Sequence, residues 1–330
     1  FSAIDEGAPL NEPMLLSELS ARLYSAASAE EFSVFFDTPF VLVEVDGAFP
    51  LPPHRPPCPV IAITEDPIPP PLADVVVPNR QQAESIELAI SNSPIASAVL
   101  VQLLRYNEGI SIPQRLVAES LAYSTLQHGS EFQRWIGGRE QRKPSPSRDE
   151  PAVTVERVED ELYLTLNRPE KRNAYNAEMR DALCAGLSLL SFDSGIRRAT
   201  LRGAGACFSA GGDLDEFGEA TDAGLAHVSR VARSAGNLMA SVHDRIEVHV
   251  HGACIGAGIE LPAFAHRVLA RRDAFFQLPE VTMGLVPGAG GTASILPRIG
   301  RHRMAVWALT GARIDAETAM SWGLVDELAD

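Results

Sequence analysis

The second half of the chain alternates short β-type segments with amphipathic helical segments, and this alternation constrains the fold most. Residues 153–158 and 163–166 alternate apolar and polar side chains as a hairpin would, with acidic residues 159–161 at the turn. Further strands are predicted at 199–202, 246–250 and 267–270, and helices at 177–190, 223–242 and 256–265. Repeated strand-strand-helix units predict an α/β domain with helices packed outside the sheets.

The first half is organised differently. Residues 1–33 are predicted to be helical, because four leucines recur at helical spacing: Leu15, Leu16, Leu19 and Leu23. Short strands are predicted at 40–45 and 59–63, and the density of prolines from 50 to 71 favours an extended surface path. Residues 81–136 are again strongly helical. The polar, charged stretch 139–150 contains two prolines and is predicted to be a linker.

Composition narrows the function classes. The chain has 330 residues and a formal net charge of −15 at pH 7, and nucleic-acid binding needs a basic face, so nucleic acid is not expected as a partner. No apolar run reaches the length of a bilayer span and no secretory leader is visible, so no membrane association is expected. The four cysteines are scattered, which is typical of reduced, buried thiols in a cytoplasmic protein and indicates neither disulfides nor a metal site.

Four segments of the second half carry glycine turns, charges or carboxylates. In chain order, the first to fourth segments are Leu166-Asn-Arg-Pro-Glu-Lys-Arg-Asn-Ala174, Cys207-Phe-Ser-Ala-Gly-Gly-Asp-Leu214, His251-Gly-Ala-Cys-Ile-Gly-Ala-Gly-Ile-Glu-Leu261 and Phe276-Gln-Leu-Pro-Glu-Val-Thr-Met-Gly-Leu-Val-Pro-Gly-Ala-Gly-Gly-Thr292. Glycine turns at strand ends and helix starts let backbone N–H groups converge on an anion. The turns at 211–212 and 256–258 each offer one donor, and two donors aimed at one oxygen form an oxyanion hole that stabilises a thioester enolate.

Each turn alone is a weak signal. Residues 256–258 lack the third glycine of a dinucleotide fingerprint, and residues 287–292 lack the Gly-Lys-Ser/Thr ending of a phosphate loop. In this order, however, the four segments resemble the crotonase superfamily, specifically the enoyl-CoA hydratases and isomerases. The likeness runs from about residue 153 to the end and includes residues 309–326. It implies a crotonase-type spiral of strand-strand-helix units, preceded here by a mainly helical region.

The resemblance implies roles for particular residues. The oxyanion donors fall on the N–H groups of Gly212 and Ala257, and the two catalytic carboxylates on Glu260 and Glu280. Hydration of an α,β-double bond needs one group that takes a proton from water and another that supplies one to the α-carbon. We therefore expect Glu260 to activate water and Glu280 to deliver the α-proton. The alternatives are a structural, ion-paired role for Glu260 and a surface-loop position for Glu280.

Substrate binding is implied as well. The first segment supplies positive charge for the phosphates of coenzyme A, and the Ala210 carbonyl would meet the adenine amino group. The residues expected to bind substrate are Arg168, Lys171, Arg172, Ala210, Gly211, Asp213, Gly256 and Gly288. A solvated run of charges is the alternative for the three cations. Coenzyme A enters as part of an acyl-CoA substrate with no other cofactor, in fatty acid metabolism, and the family implies a homotrimer or a dimer of trimers.

The sequence differs from the usual hydratase pattern at several positions, so other functions stay open. Hydratases often carry Lys where this chain has Asp215, which removes a cation from the coenzyme A side. The strand before the third segment is also unusual and places His249 and His251 on one face, where packing or hydrogen bonding is expected in preference to a metal. A Δ3-Δ2-enoyl-CoA isomerase or another acyl-CoA lyase is the first alternative. A catalytically weak module that binds coenzyme A is the second.

The helical segments of the first half resemble the helices that usually close the family's fold at its C-terminus. Residues 73–78, 92–95 and 116–135 carry this likeness. We therefore predict a circular permutation, with an unrelated helical domain as the alternative. The predicted regions are 1–72 (a helix, short strands and a proline-rich segment), 73–138 (the closing helices), 139–150 (the linker) and 151–330 (the core).

Overall fold

The computed structural model describes residues 12–47, 49–139 and 150–329, so residues 1–11 and nearly all of the predicted linker lie outside the described ranges. Within these ranges the strands are β1 (Met14–Leu15), β2 (Val41–Glu44), β3 (Val60–Ile63), β4 (Val75–Val77), β5 (Val153–Val158), β6 (Glu161–Leu166), β7 (Arg198–Gly203), β8 (Ile246–Val250), β9 (Ala253–Ile255), β10 (Arg267–Arg271), β11 (Phe275–Gln277), β12 (Ile314–Asp315) and β13 (Glu327–Ala329).

The α-helices of the same ranges are α1 (Leu16–Arg22), α2 (Ala26–Glu30), α3 (Arg80–Asn92), α4 (Pro94–Asn107), α5 (Ile112–Gln127), α6 (Ser130–Gly137), α7 (Ala177–Phe192), α8 (Ala223–Ala232), α9 (Ala235–Ser241), α10 (Ala257–Glu260), α11 (Gly291–Ser294), α12 (Leu296–Ile299), α13 (Arg301–Thr310) and α14 (Ala316–Trp322). Short 3-10 turns occupy Val34–Phe36, Pro169–Lys171, His243–Arg245, Pro262–Phe264 and Glu280–Met283.

The second half forms two sheets that carry the site at their strand ends. The larger has the order β13-β10-β8-β7-β6-β5 and is parallel except for the β5–β6 hairpin. A three-stranded sheet of order β12-β11-β9 leads into the third and fourth segments. The predicted hairpin is confirmed, and so is the α/β fold class.

The first half contributes a separate parallel sheet of order β1-β2-β3-β4. The strands predicted at 40–45 and 59–63 are confirmed as β2 and β3. Two expectations were wrong. Residues 73–78 hold strand β4 instead of helix, because three consecutive β-branched valines favour a buried strand. Of the helix predicted over 1–33, the part described from residue 12 onward becomes helical only at Leu16, and it is interrupted between α1 and α2, where the Ser25 side chain caps the second helix.

The helical prediction for 81–136 is confirmed as four helices, α3 to α6. Asn79 caps the first through its side chain, which accepts the Gln82 N–H at 3.0 Å. Ser111 and Gln114 form a reciprocal capping box at the start of α5. The outer limits of the predicted region, 81–136, agree with the structure to within one residue, whereas the breaks between the four helices were not predicted.

Two helices of the core differ from the prediction. The single helix expected over 223–242 is two helices, because the Ser234 hydroxyl accepts the Asn237 N–H at 3.1 Å and starts α9 afresh. The helix expected over 256–265 shortens to α10, and Pro262 then begins a 3-10 turn.

The proline-rich stretch is less superficial than expected. Pro56, Cys58 and Pro59 are buried. Arg105 of α4 donates to the carbonyls of Pro56 and Cys58, at 2.6 and 3.1 Å, and forms an ion pair with the buried Asp74. Buried backbone carbonyls that have no neighbouring strand need hydrogen-bond donors from side chains, and Arg105 supplies these donors.

Helices α3 to α6 share one hydrophobic core with the second half. Tyr123, Phe132 and Trp307 belong to the same buried cluster. Arg301 of α13 also donates to the Asp74 carboxylate at 2.9 Å and to the Ala73 carbonyl at 2.9 Å. Four apolar residues of α5 and α6 are predicted to form one buried stripe; Phe132 is buried, Leu116 and Trp135 are partly buried, and Leu121 is 52% exposed. The circular permutation itself stays a prediction.

Within the described part of the chain, no single helix has the length and apolar character of a membrane span. The pair α3 and α4 passes such a test only together, and the two helices bend by 108° at their junction.

We predict that a protein beginning at Pro151 aggregates or loses its native assembly, and does not hydrate an enoyl-CoA. It would expose the surface that Tyr123 and Phe132 cover, and each large buried side chain contributes about 1.5–3 kcal/mol. Size-exclusion chromatography with light scattering measures the outcome, and co-expression of residues 1–138 as a second chain should restore the native species. A stable, active 151–330 fragment would show that the first half is an independent domain.

Candidate active site

The second and third segments lie side by side. The Ser209 N–H donates to the Ala253 carbonyl at 3.1 Å, and the Ile255 N–H donates to the Ser209 carbonyl at 3.1 Å. The first segment joins them, since the Ala210 N–H donates to the Arg172 carbonyl at 2.9 Å. The fourth segment joins as well, since the Gly256 N–H donates to the Gln277 carbonyl at 2.9 Å, so all four segments meet through backbone hydrogen bonds.

This junction leaves two backbone donors open. Among the described residues, neither the Gly212 N–H nor the Ala257 N–H has a hydrogen-bond acceptor. Ala257 is the first residue of α10, where N–H groups lack intrahelical partners and the helix dipole favours negative charge. Both residues line one cavity of about 310 Å³. The geometry therefore brings together the two donors that the sequence predicted.

Asn173 organises the junction and was not singled out from the sequence. It is fully buried with a φ of 53°, and its side-chain amide donates to the carbonyls of Ala204, Cys207 and Phe208 at 2.8–3.1 Å. Its side-chain oxygen accepts the Arg168 N–H at 2.9 Å. The tolerance of asparagine for the left-handed region was the available signal.

Glu260 lies at the end of α10 and is 2% exposed. Its Oε2 accepts the N–H groups of Ala289 and Gly291, both at 2.8 Å. Burial raises the pKa of Glu260 to about 7, against the lowering effect of these backbone donors. The alternative of an ion-paired structural residue does not fit, since its carboxylate is held by backbone N–H groups.

Glu280 begins the 3-10 turn that follows β11 and lines the same cavity. A Cβ atom placed on Gly256 would lie 2.4 Å from Glu280 Oε1 and 3.7 Å from Glu260 Oε1, and Gly256 has a φ of 49°. Only glycine fits there. Glu280 Oε2 is buried with no hydrogen-bond partner in the described structure. Burial, and then the charges of Glu260 and Glu119, raise the pKa of Glu280 well above its usual range. The alternative of a surface-loop acid does not fit.

A third carboxylate, Glu119 of α5, supports the site and was not predicted as a functional residue. It is 2% exposed, and its oxygens accept the N–H groups of Gly290 at 2.6 Å and Thr292 at 2.7 Å, and the Thr292 hydroxyl at 2.6 Å. Burial, followed by the charge of Glu260, raises the pKa of Glu119 to about 8. A glutamate on the inner face of an amphipathic helix was the available signal.

Tyr123, one turn further along α5, lines the cavity together with Glu260 and Glu280. Its ring packs on Gly288, where an added Cβ would lie 2.4 Å from two ring carbons. Burial raises the pKa of the Tyr123 hydroxyl far above its usual range. The sequence placed Tyr123 on an apolar helix and Gly288 in a substrate role, but gave no sign that they touch.

The cations expected to bind coenzyme A are not equally available. Arg168 forms an ion pair with the buried Asp213 at 2.9 Å, and Lys171 pairs with Asp215 at 2.7 Å. Arg172 is exposed and has no side-chain partner among the described residues. Asp215 thus pairs with Lys171, and of the three cations predicted to bind coenzyme A only Arg172 has no side-chain partner among the described residues.

A second cavity, of about 430 Å³, lies beside these cations. Gly212 and Asp213 border both it and the glutamate cavity, so the two are adjacent. Ala210 lines it too, and no donor in the described structure approaches the Ala210 carbonyl. Gly211, in contrast, packs its backbone on Ile255, where an added Cβ would lie 2.8 Å from the Ile255 carbonyl oxygen.

His249 lies in β8 and His251 follows the end of that strand, and the two have separate partners. His249 Nε2 lies 2.6 Å from Glu247 Oε1, and His251 Nε2 lies 3.0 Å from the Gly205 carbonyl. Each contact is a hydrogen bond within the fold, as the sequence favoured.

Comparison with known proteins identifies the family. A family model described as enoyl-CoA hydratase/isomerase matches residues 159–329. The chain is 34% identical over 176 residues to the 2,3-dehydroadipyl-CoA hydratase of Escherichia coli K12, across 53% of this chain and 68% of that protein. It is 38% identical over 175 residues to the 1,2-epoxyphenylacetyl-CoA isomerase of the same organism, across 51% and 66%. The matched part thus spans about two thirds of each relative.

Solved structures of similar proteins support the same family assignment. An enoyl-CoA hydratase/isomerase from Mycobacterium paratuberculosis superposes with a TM-score of 0.50 at 31% identity, over 55% of this chain and 74% of that one. Pseudomonas aeruginosa DspI superposes with a TM-score of 0.51 at 29% identity, over 57% and 72%. The chain belongs to the enoyl-CoA hydratase/isomerase family, which confirms the predicted resemblance and the prediction of an enzyme of this family.

We predict that the free energy of unfolding falls as the pH rises from about 5 to 8. The folded pKa values of Glu119 and Glu260 exceed that of an unfolded glutamate, about 4.3, so the folded state binds more protons in this window and loses stability as they leave. Glu119→Gln should flatten this slope, although it also loses a backbone acceptor. Urea unfolding at a series of pH values measures it, with Glu84→Gln, an exposed residue of α3, as the control. Parallel curves for Glu119→Gln and the parent would contradict the assignment.

Proposed function

We propose that the chain is an enoyl-CoA hydratase, which adds water across the α,β-double bond of an acyl-CoA thioester. The observation that carries this proposal is the single cavity lined by Gly212, Ala257, Glu260 and Glu280. Two open N–H donors and two carboxyl groups of raised pKa are the set that this addition needs. Among the relatives, the Escherichia coli protein at 34% identity is named a hydratase.

In this mechanism the thioester oxygen accepts both N–H groups. Glu260, oriented through the oxygen that Ala289 and Gly291 hold, takes a proton from water with its other oxygen. The water oxygen bonds to the β-carbon, the π electrons move into the thioester, and the enolate oxygen is stabilised by the two donors. Glu280, kept protonated by its raised pKa, then delivers its proton to the α-carbon. The proton gained by Glu260 and the one lost by Glu280 balance, and exchange with solvent resets the pair.

A second candidate is a Δ3-Δ2-enoyl-CoA isomerase. Isomerisation needs one carboxylate that carries a proton between two carbons, and Glu280 Oε2 is the carboxyl oxygen without a hydrogen-bond partner. The relative at 38% identity is named an isomerase.

The proposed acyl-CoA function also includes assembly as a homotrimer or dimer of trimers, a cytoplasmic location and a contact between Arg172 and coenzyme A.

Glu280→Gln should lower kcat by at least about a thousandfold with little change in fold, because the side chains have nearly the same volume and general acid–base groups supply this range. Steady-state hydration of a panel of enoyl-CoA thioesters measures it, and Glu317→Gln, an exposed residue of α14, is the control. Glu260→Gln should abolish hydration but spare any isomerisation. If Glu280→Gln turned over at the parent rate, Glu280 would have no part in the mechanism.

Ala257→Pro tests the oxyanion donor, since proline has no N–H and is tolerated at the first position of a helix. We expect kcat to fall about 100- to 1000-fold, as for the loss of one such donor, with a thermal midpoint close to that of the parent. Ala257→Ser keeps the donor and should retain activity. A proline variant that folds and is fully active would remove Ala257 from the site.

A further inference from the structure

The glutamate cavity continues into a smaller one of about 180 Å³. Tyr175, Arg180, Arg230, Gly288 and Ala289 line both. The continuation is apolar on one side, where Pro113, Leu116 and Leu261 lie. An acyl group whose thioester sat at the glutamates would extend past Tyr123 toward the arginines.

Arg230 of α8 is partly buried here and has no carboxylate partner in the described structure. Its Nη1 donates to the hydroxyls of Ser124 at 2.8 Å and Ser120 at 3.3 Å, and its Nη2 donates to Gln127 Oε1 at 3.2 Å. Its guanidinium carbon lies 4.5 Å from the centre of the Tyr123 ring. These partners are neutral, so the positive charge is solvated by dipoles and a π-face but not neutralised.

Part of the guanidinium also remains open. An arginine has five N–H donors, and no described acceptor meets the Nε–H of Arg230. That nitrogen is not among the buried polar atoms that lack partners, which places it against open space. A planar fork with a free edge is the geometry that binds a carboxylate.

The other charged side chains around Arg230 are also mainly positive. Arg180 and Arg233 line the smaller cavity too, and both pair with one acid, Asp181, at 2.8 Å. Two further carboxylates lie nearby: Glu119, which lines the smaller cavity and accepts backbone N–H groups of the 290–292 loop, and Glu216, which accepts the Ala177 N–H at 3.0 Å. Three guanidinium groups and one carboxylate, Glu119, therefore line this cavity, with Asp181 paired to two of the arginines.

We propose that this cavity binds the carboxylate end of an acyl group, so that the substrates are CoA thioesters of dicarboxylic acids. Arg230 holds the carboxylate and Arg180 faces it across the cavity. A methyl end in the same place would strip water from a guanidinium and give nothing in return. The proposal rests on the proposed acyl-CoA function and names its substrate class.

The test compares two saturated thioesters that differ in their ends, adipoyl-CoA and hexanoyl-CoA, by isothermal titration calorimetry on the full chain. The parent should bind adipoyl-CoA more tightly by about 10- to 100-fold, the range of a charge-assisted hydrogen bond. Arg230→Gln should abolish this preference while hexanoyl-CoA binding stays intact, which also shows that the variant is folded. Arg230→Lys should restore part of the preference. Arg271→Gln, which changes an exposed arginine of β10, should preserve it.

Equal affinity of the parent for the two thioesters would overturn the inference, and so would a preference that survives Arg230→Gln. In either case hexanoyl-CoA binding and hydration of trans-2-hexenoyl-CoA would leave the proposed function standing. If the parent bound neither thioester, the acyl-CoA function would fail and the inference with it.

Discussion

Two buried carboxylates, Glu260 and Glu119, hold one short stretch of backbone between them through hydrogen bonds, and the geometry of the candidate active site depends on these bonds. Glu260 accepts N–H groups from Ala289 and Gly291, while Glu119 accepts them from Gly290 and Thr292. Four successive N–H groups thus point alternately to two acids from distant parts of the chain. Because the loop orients Glu260, and Glu119 fixes the loop, helix α5 is part of the support of the proposed water-activating group.

This arrangement sets the free-energy balance of the region. A buried carboxylate is costly unless hydrogen bonds replace its lost water, and hydrogen bonds to charged groups are stronger than neutral ones. The backbone donors lower the pKa of each acid, but burial outweighs them. The pKa values of the two acids therefore lie near neutral pH, at about 8 for Glu119 and about 7 for Glu260. Removing α5 would leave the N–H groups of Gly290 and Thr292 without their acceptor, so this helix and the 290–292 loop depend on each other.

Much of the candidate site could be predicted from the sequence, because local features determine the position of its residues. The glycine turns, the spacing of Glu260 and Glu280 and the hairpin at 153–166 are encoded within single segments. Contacts between distant segments were not accessible. Nothing near Glu119 in sequence shows that its partners are at 290–292, and nothing near Arg168 and Lys171 shows that aspartates occupy them. Ser234 and Pro262 are residue types that often begin a new helix or turn. The prediction nevertheless continued each helix through them, because the apolar residues on both sides keep the helical period.

The contact between Tyr123 and Gly288 makes two distant positions interdependent. A methyl group at 288 would overlap the ring, so the glycine can be replaced only where the residue at 123 is smaller or moves away. Conversely, a smaller side chain at 123 opens a gap above 288 that a larger residue can fill. Among homologues with this arrangement of helices, substitutions at the two positions should therefore be accepted in pairs, and covariation between them would identify proteins that share this chain order.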